Sequence, residues 1–141
     1  MARSLSRFAL LFGVIALALA GCGESRAEKA KAEVCKSRTE IHKQVEALEA
    51  LTLSPSSIST AQSSFQKIEA ELEKIKKEAP KLEGTTKTEA EEATSTFKSQ
   101  ISSIASSLTS NFNVATAETQ FKAALEQLVK SYKQTLEKIS C

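Results

Sequence analysis

The chain has 141 residues, one domain's worth, with 19 Lys and Arg, 17 acidic residues and a formal net charge of +2. Setting aside Arg3 and Arg7 leaves 17 basic residues against 17 acidic ones, and no nucleic-acid partner is expected without a basic patch or stripe. One His, four Gly, three Cys and no Trp exclude more chemistry than they assign.

Residues 1–22 carry three features in order. Arg3 and Arg7 make a positive start, and the run from Phe8 to Ala20 has no charge. That run is shorter than the roughly 20 apolar residues of a membrane-spanning helix, and suits the apolar region of an export signal. It ends in Leu19-Ala20-Gly21-Cys22. This tetrapeptide resembles the lipobox of bacterial lipoproteins. The resemblance implies cleavage before Cys22, diacylglycerol on the Cys22 thiol, and acylation (palmitate or a like chain) of the freed amine. Residues 1–21 are then a signal peptide, and two or more acyl chains give a firm anchor. The protein would sit outside the cytoplasm, on the outer face of the cell membrane or on an outer membrane. An ordinary signal cut nearby, with Cys22 a free thiol, is the alternative.

Residues 22–33 are polar and rich in Ala, Lys and Glu. They read as a lipidated N-terminus and tether, or as a frayed helical extension. Residues 34–141 form the expected folded domain. Its first helix is predicted from about Val34 to Leu53, on Val34, Ile41, Val45, Leu48 and Leu51, with Arg38 interrupting the apolar stripe. Ser54-Pro55 supplies an N-cap and a proline at the first helical position. The second helix, about Ser56 to Ala79, has the most regular seam: Ile58, Ala61, Phe65, Ile68, Leu72, Ile75 and Ala79. Pro80 ends it, and Gly84 lies in the turn.

Thr86 and Glu89 have the spacing of a capping box for a third helix, about Thr86 to Thr109, with Ala90, Ala93, Phe97, Ile101, Ile104 and Leu108 inward. Ten of the seventeen residues from Thr94 to Ser110 are Ser or Thr, which are mediocre helix formers. This stretch reads as a weak outer helix or as a small-residue face that a partner approaches. Asn111 and Asn113 mark the last turn. The fourth helix, about Val114 to Ile139, carries Val114, Ala117, Phe121, Leu125, Leu128, Tyr132, Leu136 and Ile139.

Four helices of similar length with short connections predict an all-α, antiparallel up-down-up-down four-helix bundle. The cysteines agree with this count. With Cys22 assigned to lipid, Cys35 and Cys141 are an even pair, which in an exported protein reads as a disulfide. Free thiols, or an intermolecular bridge through Cys141, are the alternatives. Cys35 opens the first helix and Cys141 closes the fourth, so four helices bring them to one pole and three would not. An open coiled coil using the second seam to bind another chain is a further alternative.

The missing residue types set the functional expectation. Beyond residue 22 there are only Gly23 and Gly84 and no Asp or Met, which rules out phosphate-cradling glycine loops and EF-hand calcium loops. A lone histidine, His42, cannot supply the paired Glu-x-x-His motifs of a di-iron bundle, and it reads as a solvated surface residue. No catalytic, cofactor or metal site is expected. Glu89, Glu91 and Glu92, and the Glu/Lys mixture on helix two, read as solvated faces, with Glu73 and Lys77 a favourable i,i+4 pair. The expectation is a non-catalytic, lipid-anchored interaction or structural module with a protein or envelope-polymer partner. The alternative is a carrier with an apolar ligand among Phe65, Phe97, Phe121 and Tyr132.

Overall fold

The computed structural model describes residues 23–52, 54–110 and 114–141, and the side chains of all of these but 55, 108–110 and 114–117. The signal segment, the lipobox with Cys22, and the turn asparagines Asn111 and Asn113 lie outside the described residues. The protein is all-helical: α1 Arg26–Glu49, α2 Pro55–Glu78, α3 Gly84–Ser110 and α4 Val114–Gln134, with 3-10 turns at Ala79–Lys81 and Leu136–Lys138. The four helices pack together. Helix α1 lies on α2, α2 on α3, α3 on α4, and α4 on α1.

Helix α1 starts eight residues before the expected Val34, and its start is firmly built. Ser25 and Glu28 form a capping box: the Ser25 N–H donates to Glu28 Oε2 at 2.7 Å, and the Glu28 N–H donates to Ser25 Oγ at 3.1 Å. Ala30 is 1% exposed, so the first turns belong to the core. The segment expected as a tether is therefore helix from Arg26 onward. The signal was in the sequence as Ser-x-x-Glu ahead of Ala30 and Val34. Replacing Ser25 by Ala should cost about 1 kcal/mol and speed amide exchange in the first turn of α1. The two Ser25 hydrogen bonds hold the Glu28 carboxyl below the usual carboxylate range. A carboxylate with a lowered folded value stabilises the fold above its ordinary titration. That share is lost as pH falls through the lowered value, so acid should loosen the same turn.

The other boundaries shift for local reasons. Ser54 caps α2 through Ser57, with Pro55 as the first helical residue. Gly84 holds φ +60° where the chain turns into α3, a conformation natural to glycine. Since α3 already begins there, Thr86 and Glu89 lie inside the helix and do not cap it. Helix α4 stops at Gln134, short of the expected Ile139. Thr135 leaves helical geometry, and its hydroxyl donates to the Ser131 carbonyl at 2.7 Å.

Most of the predicted seam positions are core, but Leu51 and Ile58 are only partly buried, and the side chains of Leu108, Val114 and Ala117 lie outside the described ones. Ala61, Phe65, Ile68, Leu72, Ile75 and Ala79 of α2 are buried, as are Ala90, Ala93, Phe97, Ile101 and Ile104 of α3. Phe121, Leu125, Leu128 and Tyr132 of α4 meet them, with Leu136 and Ile139 beyond the break. The α2 seam is thus covered within the single chain, which removes the reason for an open coiled coil. Thr94 is buried among these seams, and its hydroxyl donates to the Ala90 carbonyl at 2.6 Å, the local bond by which a helical threonine satisfies itself.

Candidate functional site

Three places bring polar groups together. The first joins the start of α1 to the chain's end. Cys35 and Cys141 stand at disulfide distance, with Sγ atoms 2.09 Å and Cα atoms 5.7 Å apart. One turn on, the Arg38 guanidinium donates to the Ile139 carbonyl at 2.8 Å. It reaches the Glu137 carbonyl at 3.4 Å. The stripe-breaking arginine is therefore a clasp for the last turn. Arg38 was visible in the sequence only as an irregularity, because its partners are backbone atoms a hundred residues away.

His42 lies one turn further along α1. It was expected at a boundary or exposed position, and its side chain is 45% exposed. It stacks on Tyr132 with ring centroids 5.3 Å apart, and Nε2 lies 3.2 Å from Glu46 Oε1. Nδ1 is buried without a hydrogen-bond partner. Burial pushes the Tyr132 phenol up, against the opposing effect of Arg38. A stacked, carboxylate-paired imidazole of this kind fixes α1 against α4. Among the described residues no three His, Cys or Glu side chains gather as a metal ion would need.

The second place is a groove of about 560 Å³ between α2 and α3, walled by Lys76, Pro80, Glu91, Thr94 and Lys98. Lys98 bonds across the helices to Glu73, and this holds the Glu73 carboxyl low and the Lys98 ammonium high. Glu73 thus pairs between helices rather than with Lys77. Lys74 pairs with Glu71 at 2.6 Å. Lys98, Glu73 and Lys74 are exposed, whereas Glu71 is largely covered.

The third place is a groove of about 410 Å³ between α3 and α4, lined by Gln100, Ala123, Glu126, Gln127, Lys130, Ser131 and Gln134. The Ser131 hydroxyl and Gln100 Oε1 are buried there without hydrogen-bond partners. Sequence reasoning missed both. Ser131 sits beside Tyr132 on the inward edge of α4, where its spacing from Leu128 was the available signal. Phe65, Phe97, Phe121 and Tyr132 are all buried, and none of them lines either groove.

Among the described residues no helix is long and apolar enough to cross a membrane. Compared with protein-family models, curated proteins and solved structures, the chain matches none.

Proposed function

We propose that this protein is a lipid-anchored, extracytoplasmic interaction module: a non-catalytic antiparallel up-down-up-down bundle tethered through acylated Cys22. The observation that carries the reading is the Cys35–Cys141 pair, two thiols 106 residues apart in sequence held 5.7 Å apart at Cα. Such pairs persist as disulfides in oxidising compartments, the destination that the lipobox implies. Contacts along α1 and the end of the chain run in opposite senses: Cys35 with Cys141, Arg38 with Ile139, His42 with Tyr132. That order supports antiparallel neighbours. The aromatic side chains named for an apolar carrier are core packing, so no specific observation favours that alternative.

Intact mass of membrane-extracted protein, alkylated before and after reduction, tests the compartment and the anchor. The expected result is residues 22–141 plus lipid, with both remaining cysteines blocked until reduction. A retained signal, or two thiols free without reduction, overturns the reading. An enzymatic activity that follows the purified protein and dies with one substitution would overturn the non-catalytic part.

A further inference from the structure

The corner that joins α1 to residues 135–141 is asymmetric about its sulfur bridge. Cys141 is exposed, whereas Cys35 is half-buried within the hydrogen-bonded ladder of α1. Access helps decide which sulfur of a disulfide an incoming thiolate attacks, and Cys141 is the open side.

Cys35 is then the departing sulfur. It stands one helical turn before Arg38, on the same face of α1. The Arg38 guanidinium lies in this corner, where it donates to the Ile139 carbonyl at 2.8 Å. A neighbouring cation stabilises a thiolate, and a thiol of lower pKa leaves faster.

The segment around Cys141 has anchors besides the bridge. Leu136 is 0% and Ile139 1% exposed, and Arg38 reaches the carbonyls of both Glu137 and Ile139. Only Ser140 separates Ile139 from Cys141, and Ser140 and Cys141 are both exposed. Cys141 can therefore carry a bonded partner at the surface while Leu136 and Ile139 stay seated. Cys35, kept in place on α1, is positioned to reverse the step.

We propose that the Cys35–Cys141 bridge is a covalent docking site for a partner protein that presents an accessible cysteine thiol. The partner's thiol loses its proton to water, and the thiolate bonds to Cys141 Sγ. The Cys35–Cys141 bond breaks as this bond forms, and Cys35 leaves with the electron pair and takes up a proton. One disulfide replaces another, so no outside oxidant or reductant is consumed. Attack by the Cys35 thiolate on Cys141 Sγ restores the bridge and releases the partner. The proposal rests on the interaction-module reading for the partner and the oxidised pair, and not on the lipid anchor.

The test uses the membrane-extracted full chain with its bridge intact, and reduced glutathione as the thiol probe. The reaction is stopped with acid, and peptide mass locates the adduct. Glutathione on Cys141 should exceed glutathione on Cys35 about tenfold or more, the preference expected when access and leaving group agree. Concentrated urea should abolish that preference. Low urea should leave the exchange rate unchanged, whereas exchange through global unfolding would quicken with it. Arg38→Gln should slow exchange about tenfold through loss of the cation beside the leaving thiolate, and Arg38→Lys should restore most of the rate. A clasp that only held the segment down would act the other way, since its loss would loosen the corner and speed exchange. Three outcomes overturn the proposal: equal adducts on the two cysteines, exchange that tracks unfolding, or an Arg38→Gln rate at or above that of the native protein. Intact mass taken before glutathione is added reports the anchor by itself, so failure of the lipoprotein reading and failure of the docking site are distinguishable.

Discussion

Breaking the Cys35–Cys141 bond should lower stability by about 4–5 kcal/mol, the chain-entropy value for a loop near 100 residues. The cross-link spans 106 residues and so restrains most of the folded region in its unfolded state. Domains of this size have total stabilities of about 5–15 kcal/mol, so a loss of about 4–5 kcal/mol is about a quarter or more of the whole. Thermal unfolding followed by circular dichroism should show Tm falling by about 15–25 °C on reduction. Cys35→Ser and Cys141→Ser should each match the reduced protein, and combining them should add nothing. A fall of only a few degrees would mean that Arg38 and the apolar seams already hold the two ends together when the chain unfolds. The bond bridges half-buried Cys35 and exposed Cys141, so mild reductant should act on the native protein without prior unfolding.

Phe97→Ala should cost about 3–5 kcal/mol, as large-to-small changes of buried aromatics do. Phe97 is fully buried on α3 and meets Tyr132 of α4 edge-on, with ring centroids 6.1 Å apart. Tyr132 in turn stacks on His42 of α1, so one ring sequence ties three helices. Truncation opens a void at that junction and removes an aromatic pair worth about 0.5–1.5 kcal/mol beyond its area. Tyr132→Phe is the contrast. Its hydroxyl donates to the Arg38 carbonyl over 3.4 Å, too long for a strong bond, so that variant should lose under about 1 kcal/mol. Urea midpoints for the two variants give the comparison. Equal losses would mean that the phenol hydroxyl, rather than the packing, organises the junction.

The apolar seams were legible because helical periodicity and burial have one cause. Every spacing that placed Phe65, Phe97 and Tyr132 inward came from a face that must avoid water. Cysteine pairing was legible from the count and from pole geometry. Of the two readings for residues 22–33, tether or helical extension, the helix holds from Arg26, and the Ser25–Glu28 cap is the feature that decides it. The break at Thr135 was not legible. It arises beside a last turn whose carbonyls Arg38 holds, and no local pattern announces a partner on another helix. Ser131 was legible only through its spacing from Leu128, and Gln100 not at all, because an amide beside the apolar stripe looks like any surface glutamine until its surroundings are known.

The cap at Ser25 also acts as a ruler. If Cys22 carries the lipid, only Gly23 and Glu24 separate it from the cap, and three residue steps make a leash of about 10 Å at full stretch. Helix α1 then runs about 36 Å at 1.5 Å per residue without a hinge. With that anchor the protein would stay close to its bilayer, and a partner would have to be resident in a thin shell above the headgroups or be brought to it.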